Sequence, residues 1–134
     1  MDQLNIKLPS IPENIRIVES FIDNANELFN FSEDLYGNIM VSVTEAVNNA
    51  IIHGNKQESK KLVSLSLLLL EEEKMLKFVI TDEGSGFDFT NLPDPTSVEN
   101  LEKEGGRGIF LINSLCDNVS FSNNGTSIEL TFNL

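Results

Sequence analysis

Two neighbouring runs in the middle of the chain predict a β-hairpin, and this hairpin limits the possible folds more than any other segment. Residues 62–70 are almost all leucine, valine and serine, and nine such residues without a turn signal favour a buried strand over a helix. After the charged turn 71–74, residues 75–82 alternate well enough for an antiparallel partner strand. We therefore expect a sheet with an antiparallel hairpin at its centre.

The segment before this hairpin predicts two helices. Residues 10–13, Ser-Ile-Pro-Glu, spell a capping box with a proline in the first turn, so a first helix is expected over residues 11–29. Apolar residues recur there at spacings of three and four, and this pattern predicts one buried face, formed by Ile15, Ile17, Val18, Phe21, Ile22, Ala25, Leu28 and Phe29. Ser32, followed by two acidic residues, predicts the N-cap of a second helix over residues 33–53, ended by Gly54-Asn55.

The rest of the chain supplies three short strands and one more helix. Strands are expected at residues 5–8, 119–121 and 126–132, and a helix at 107–116, with Ile109, Leu111, Ile112 and Leu115 facing inward. The order β-α-α-β-β-loop-α-β-β predicts an α/β (α+β) two-layer sandwich. We expect a mixed, largely antiparallel sheet with the helices on one face.

Length and charge limit the classes of function. A chain of 134 residues is long enough for one domain, so residues 1–134 are expected to form a single unit. The 21 acidic residues outnumber the 9 basic ones and give a net charge of −12, which argues against direct binding to nucleic acid or to an anionic membrane surface. Cys116 is the single cysteine and can form no internal disulfide, so we expect a cytoplasmic protein. No segment has the length and apolarity of a membrane span or of a signal peptide.

Polar residues form a stripe along the predicted second helix. Asn38, Ser42, Glu45, Asn49 and His53 follow one another at spacings of four, three, four and four, so they share one face. The opposite face is predicted to be buried and consists of Ile39, Val43, Ala46, Val47 and Ala50. Such a stripe is most often a solvated surface. Its amides and single carboxylate also fit a site for a small ligand or an ion, whereas the lone histidine is interpreted as a satisfied group at the helix end.

Two glycine-rich segments stand at the ends of predicted elements. Residues 82–87, Asp-Glu-Gly-Ser-Gly-Phe, follow a strand directly, and residues 105–108, Gly-Gly-Arg-Gly, precede a helix. Either segment alone could be a flexible turn. Glycines also let a backbone approach a flat ligand, they present free N–H groups to phosphate at a helix start, and an aspartate at a strand end can accept a hydrogen bond from an exocyclic amine. Neither segment is a Walker A loop or a dinucleotide-binding fingerprint.

Three segments together resemble a known family. Residues 44–54, 82–87 and 105–111 resemble, in this order, the N, G1 and G2 boxes of the GHKL ATPases. The chain is most similar to the bacterial anti-sigma-factor serine/threonine kinases, and the resemblance implies the histidine kinase-like ATPase fold. Gly125-Thr126 resembles the last nucleotide-site element of that family, and residues 92–101 resemble part of its nucleotide lid, expected at about residues 87–105.

The resemblance also implies roles for individual residues. Glu45 corresponds to the general base, and Asn49 to the amide that holds Mg²⁺ beside the phosphates of ATP or ADP. Asp82 corresponds to the adenine-reading carboxylate, with Thr126 beside it. Arg107 is interpreted either as a phosphate contact or as a side chain that points to solvent. The further residues implied to contact nucleotide are Gly84, Gly86, Gly106, Gly108 and Ile109.

The function implied by the resemblance is an ATP-dependent kinase that sequesters a sigma factor. It would phosphorylate a STAS-type anti-anti-sigma protein on serine or threonine, and the family suggests a homodimer. An alternative from another class is a regulatory or scaffold protein that binds nucleotide without significant phosphoryl transfer. A third hypothesis, the catalytic fragment of a histidine kinase, is disfavoured because no dimerisation helix with a phosphoacceptor histidine precedes the domain.

Overall fold

The computed structural model describes residues 3–86 and 106–134. Within these ranges the chain forms five strands and three α-helices. In chain order they are β1 (Gln3–Pro9), α1 (Ile15–Phe29), α2 (Glu33–Asn49), β2 (Leu62–Leu70), β3 (Met75–Thr81), α3 (Gly106–Leu115), β4 (Asn118–Ser122) and β5 (Ser127–Asn133). The predicted order of elements and the two-layer α+β fold are confirmed.

The strands form one sheet in the order β1-β2-β3-β5-β4. All four neighbouring pairs are antiparallel, and the predicted hairpin places Leu67 opposite Phe78. Strands β3 and β4 run in the same direction but are separated by β5, so the mixed pairing expected from the sequence is not found among the described strands. Thr81 at the end of β3 lies opposite Ser127 at the start of β5, and this edge of the sheet leads into the candidate site.

The core lies between one face of the sheet and the helices. Alternate residues of the central strands are fully buried, as the period of a strand requires. Phe78 and Phe132 meet there edge to face, with ring centroids 5.9 Å apart. The predicted buried face of α2 is confirmed, since each of its five members is at most 5% exposed: Ile39, Val43, Ala46, Val47 and Ala50.

The capping box predicted at residues 10–13 does not form. Ser10 is fully buried, and its hydroxyl donates to Lys61 O at 2.7 Å instead of capping a helix. Ile11 is extended (φ −117°, ψ 127°), as is usual before a proline, and it leads into a 3₁₀ turn at Pro12–Asn14. The α-helix therefore begins at Ile15, four residues later than predicted.

The buried faces of α1 and α3 are narrower than predicted. On α1, Val18, Ile22 and Ala25 are fully buried, but Ile17 and Leu28 are 47% and 60% exposed. On α3, Ile112 is 1% exposed whereas Leu111, also predicted to face inward, is 42% exposed. A helix buries only the residues at the centre of the face that packs on its neighbours. Apolar residues at the edges of that face therefore stay in contact with water.

The second helix continues beyond the end of α2 as a π-helical turn. The Ser32 side chain caps it as predicted and accepts a hydrogen bond from Leu35 N at 3.2 Å. After Asn49 the chain continues as a π-helical turn, Ala50–Gly54, which ends one residue beyond the predicted end at residue 53. Single π-helical turns occur frequently at functional sites.

The predicted lid, at about residues 87–105, lies outside the described residues. In the described part of the chain, no helix has both the length and the apolar character needed to cross a membrane.

Candidate functional site

The candidate site lies where four segments converge. They are the carboxyl end of α2 with its π-helical turn, the loop that follows β3, the turn Asn123–Gly125 before β5, and the first turn of α3. The described parts of the three segments that carried the family resemblance lie in this set, although they are far apart in sequence. The fold therefore brings the described parts of both glycine-rich segments to the polar helix.

Glu45 and Asn49 meet the start of α3 at Gly108. The two side chains stand one turn apart on α2, and both are partly exposed. Gly108 is buried, and a Cβ atom built on it would clash with the Glu45 carboxylate and lie 3.0 Å from Asn49 Nδ2. The carboxylate and the amide thus point to one place, and glycine leaves room for both. We call Glu45, Asn49 and Gly108 the helix group.

The exposed stripe predicted on α2 is only partly correct. Asn38 is partly exposed and His53 is exposed, but Ser42 is fully buried. Ser42 lies on the edge of the helix that faces Cys116. Burial and, to a smaller extent, the Asp117 charge raise the pKa of the Cys116 thiol to about 11, although the Ser42 hydroxyl lowers it. Ser42 therefore belongs to the packing between α2 and the end of α3, and the polar surface is shorter than the sequence pattern suggests.

Asp82 follows β3 directly and is held by the backbone on two sides. Its N–H donates to Thr126 O at 2.8 Å, and its Oδ1 accepts from Gly84 N at 2.8 Å. Burial raises the pKa of Asp82, and the Gly84 N–H and the Lys61 charge offset part of this rise. Oδ2 accepts no hydrogen bond within the described residues.

Glycines let the loop after β3 approach the π-helical turn and the turn before β5. A Cβ on Gly84 would clash with Gly54 O, and a Cβ on Gly54 would clash with the Asp82 carboxylate. Gly86 has φ +81°, and a Cβ there would clash with Asn124 O. Backbone atoms cannot move aside as a flexible side chain can, so Gly84 and Gly86 are required for this packing.

Thr126 lies beside Asp82, as the resemblance implies. Its carbonyl accepts the Asp82 N–H, and its hydroxyl donates to Asn123 O at 2.8 Å. We call Asp82, Gly84, Gly86 and Thr126 the loop group. The π-helical turn, Ala50–Gly54, joins it to the helix group, because it follows Asn49 and ends against Asp82.

The other proposed nucleotide contacts lie on α3. Gly106 and Arg107 are in its first turn, and Ile109 follows Gly108 and is partly buried. The side chain of Arg107 lies outside the described part of the structure. The position of this residue leaves open both interpretations made from the sequence.

Two residues that sequence reasoning did not assign to the site contribute to its shape. Gly54 and Asn55 were interpreted only as a helix stop. Gly54 instead makes room for the Asp82 carboxylate, and Asn55 is fully buried and accepts a hydrogen bond from Glu83 N at 2.7 Å. These contacts span 28 residues of sequence or more, and no local signal reports them.

The residues present fit a nucleotide and one Mg²⁺ ion. Among the described residues, no group of three or more His, Cys, Asp or Glu side chains could hold a metal by itself. Mg²⁺ in nucleotide sites is commonly held by one or two protein oxygens together with phosphates and water, so a single amide such as Asn49 is a suitable ligand. The space kept free by Gly108 lies at this amide.

Comparisons with known proteins identify the family of the chain. The family described as "Histidine kinase-like ATPase domain" matches residues 8–132. The serine-protein kinase RsbW of Bacillus velezensis is 28% identical over 138 residues, covering 98% of this chain and 85% of that protein. The serine-protein kinase RsbW of Staphylococcus epidermidis is 28% identical over 137 residues, covering 96% of this chain and 85% of that protein.

One solved structure shows the same fold. The crystal structure of the RsbU and RsbW domains of Rv1364c from Mycobacterium tuberculosis superposes with a TM-score of 0.67 at 16% identity. The match covers 100% of this chain and 32% of that longer chain. At this identity the likeness concerns the fold alone.

Proposed function

Because the chain belongs to the histidine kinase-like ATPase domain family, we propose that it is an ATP-binding anti-sigma-factor serine/threonine kinase. In this proposal it sequesters a sigma factor and phosphorylates a STAS-type anti-anti-sigma protein on serine or threonine. Relatives named serine-protein kinase RsbW support the kinase assignment. The observation that supports the proposal is the meeting of Glu45 and Asn49 at Gly108, because the proposed base and the proposed metal ligand then lie close together.

The loop group would bind the adenine end of ATP or ADP. Oδ2 of Asp82, which accepts no hydrogen bond from the described residues, would accept one from the exocyclic amine of adenine, while the Gly84 N–H holds Oδ1. Thr126 fixes the Asp82 backbone from the opposite side. A carboxylate held in this way orients a flat ligand without having to move first.

The helix group would act at the phosphates. Glu45 would accept the proton of the attacking serine or threonine hydroxyl as its oxygen bonds to the γ-phosphorus and the bond to the ADP oxygen breaks. Asn49 would hold Mg²⁺, which neutralises charge on the phosphates when it is bound. Gly106, Arg107, Gly108 and Ile109 lie at the start of α3, where backbone N–H groups and the helix dipole favour phosphate.

The charge of the chain indicates the type of partner surface. With a net charge of −12, it should associate with basic patches on a sigma factor or on the antagonist, and more weakly as salt screens the attraction. We also propose that the protein acts as a homodimer, as the family resemblance implies, and that it is cytoplasmic, as its single cysteine indicates.

A phosphoryl-transfer assay tests the proposal. Wild-type protein is incubated with Mg²⁺, γ-labelled ATP and a purified STAS-type protein from the same genome, and the label on serine or threonine is counted. We expect transfer with wild-type protein and with Glu27→Gln, which alters an exposed carboxylate on α1, but not with Glu45→Gln. Binding of ATP without transfer to any STAS-type protein would contradict the kinase assignment and favour the scaffold alternative.

A further inference from the structure

Asn55 is a buried amide whose hydrogen-bonding atoms are all used. It is 0% exposed and directly follows the π-helical turn. Its Oδ1 accepts from Glu83 N at 2.7 Å, and its Nδ2 donates to Ser10 Oγ at 2.8 Å and to Leu62 O at 3.1 Å. A buried amide with every group satisfied holds its neighbours in one arrangement, because any shift would leave a polar group unpaired.

These bonds connect three separate parts of the fold. Ser10 belongs to the segment between β1 and α1, Leu62 begins β2, and Glu83 lies in the loop after β3. The Asn55 N–H donates to Ala50 O at 2.8 Å and closes the π-helical turn. Through Asn55, the end of the helix that carries Glu45 and Asn49 is tied to the loop that carries Asp82.

Glu83 is fixed twice at this point. Its backbone N–H donates to Asn55 Oδ1, and its side-chain carboxylate accepts from Leu62 N. Glu83 stands between Asp82 and Gly84, the two residues joined by the Oδ1 hydrogen bond. Without Asn55, Asp82 would still be held at Thr126 O, but the peptide that follows it would lose its bond to the helix side of the site.

We propose that Asn55 is a positioning residue for the nucleotide site. It acts without touching the ligand, by fixing the Glu83 backbone so that the Asp82 carboxylate stays turned toward Gly84 N. This inference rests on the proposed function insofar as the ligand is an adenine nucleotide. The placement of the loop by Asn55 is independent of the ligand, so it can be measured on the protein alone.

The test compares Asn55→Ala with a matched variant, Asn26→Ala. Asn26 Oδ1 also accepts from a backbone N–H, that of Phe31 at 3.0 Å, so the same bond type is lost in both variants. Asn26 lies near the amino end of α2, roughly 24 Å from its carboxyl end at 1.5 Å per residue. Asn26→Ala therefore reports what the loss of such a bond does to stability alone.

Amide hydrogen exchange without nucleotide is the first readout. We expect Asn55→Ala to lose protection at Glu83 and Gly84 under conditions where the strands remain protected. Asn26→Ala should keep protection at both amides. Wild-type protection of Glu83 and Gly84 in a folded Asn55→Ala protein would overturn the inference.

Calorimetric affinity for ADP is the second readout. We expect Asn55→Ala to weaken ADP by roughly tenfold, as the loss of an orienting hydrogen bond predicts, and Asn26→Ala to stay within about twofold of wild type. A purely structural role would lower the melting temperature of both variants and leave the affinity of the folded protein unchanged. Wild-type affinity in Asn55→Ala would therefore also overturn the inference.

Ser10→Ala covers the case in which Asn55→Ala does not fold. It removes one acceptor of Asn55 Nδ2 and keeps Asn55 Oδ1 for Glu83 N, while Lys61 O still accepts from Ser10 N. We expect protected Glu83 and Gly84 amides and an ADP affinity close to wild type, and loss of either in the folded variant would contradict the inference. If wild-type protein bound no ADP, the proposed function would fail, while hydrogen exchange would still decide whether Asn55 places the loop.

Discussion

The loop group and the helix group are held in place differently. In the loop group, hydrogen bonds hold the backbone before any ligand arrives. In the helix group, the Glu45 and Asn49 side chains make no hydrogen bond within the described residues. Asp82 is tied to Thr126 O and Gly84 N, each at 2.8 Å, and Glu83 to Asn55. Among the described residues, the positions of Glu45 and Asn49 depend on the helix that carries them and on their contact with Gly108.

This difference corresponds to the two ends of the proposed ligand. Adenine is rigid and uncharged, so a site that reads it gains from a carboxylate already fixed in place. Phosphates and Mg²⁺ bring strong hydrogen-bonding and charged groups of their own, and side chains that receive them need free donors and acceptors. We therefore expect substitutions in the helix group to alter phosphoryl transfer or the effect of Mg²⁺, and substitutions in the loop group to alter the affinity for the nucleotide itself.

The largest effect is expected from Glu45→Gln. The amide keeps the size of the side chain but cannot take the hydroxyl proton, so phosphoryl transfer should slow by roughly 10²–10⁴-fold. Because Glu45 makes no hydrogen bond with the loop group in the described residues, ADP affinity should stay near wild type. Single-turnover transfer and calorimetry measure the two quantities. A variant as active as wild type toward a cognate antagonist would remove Glu45 from the role of base.

Gly108→Ala tests whether room at the start of α3 determines the position of Glu45. The new Cβ would displace the carboxylate, a flexible side-chain end, so stability should change little while transfer slows by roughly a hundredfold from misplacement of the base. Gly37→Ala is the control, because a Cβ there meets nothing within 4 Å. It should stabilise α2 by about 0.5–1 kcal/mol and leave transfer unchanged. Equal transfer rates in the two variants would show that the contact at Gly108 does not matter.

Asn49→Ala should remove the dependence of nucleotide affinity on Mg²⁺. Loss of supporting groups around a bound metal costs roughly 10–100-fold in metal affinity, and the loss of a direct ligand should cost at least as much. Calorimetry with ADP in Mg²⁺ and in a chelator gives the difference. Asn48→Ala, an amide one residue earlier on another side of α2, should retain it. A full Mg²⁺ dependence in Asn49→Ala would place the ion elsewhere.

Asp82→Asn tests the loop group directly. A carboxamide nitrogen in place of a carboxylate oxygen would mispair with adenine or with Gly84 N and weaken ADP by about 1–3 kcal/mol. Asp117→Asn is a matched control, because Asp117 Oδ2 also accepts from a backbone N–H, that of Asn133 at 2.7 Å, but lies at the opposite end of β5. Calorimetry should show near wild-type affinity for Asp117→Asn, and unchanged affinity in Asp82→Asn would exclude Asp82 from the adenine site.

The sequence correctly predicted the features that depend on neighbouring residues alone. The hairpin at residues 62–82 was found almost to the residue, because an uninterrupted apolar run, a charged turn and an alternating run leave few alternatives. The Ser32 cap was also found from neighbouring residues alone. The roles of Glu45 and Asp82, by contrast, came from a resemblance, and their placement in two groups required the structure.

The sequence failed where a local signal competes with a distant partner. Ser10 looks like a helix cap, but its hydroxyl bonds with Lys61 O and Asn55 Nδ2, which are about 50 residues away in the chain and cannot be inferred from the motif. Ser42 has the spacing of an exposed stripe, but it is covered where Cys116 packs on α2. Both errors have the same cause. Burial depends on which helices and strands pack against each other, whereas sequence periodicity shows only which residues lie on the same face of one helix or strand.

The smallest effect is expected from the protonation of Asp82. It should change the stability of the protein and its affinity for ADP in opposite directions as the pH changes. Burial raises the pKa of Asp82 above the ordinary value of 3.8, so the folded protein binds this proton more tightly than the unfolded chain. The stability that Asp82 contributes is then fully present below pH 3.8 and is lost as the pH rises through the folded pKa.

Adenine binding should change in the opposite direction, because the ionised carboxylate is the better acceptor and is lost as the pH falls through the same pKa. The unfolding free energy and the ADP affinity are each measured for wild type and for Asp82→Asn between pH 3.8 and the folded pKa. As the pH rises, the difference in unfolding free energy between wild type and variant should fall, and the difference in ADP affinity should grow. If the two differences moved in the same direction, the buried carboxylate of Asp82 could not be the group that accepts from adenine.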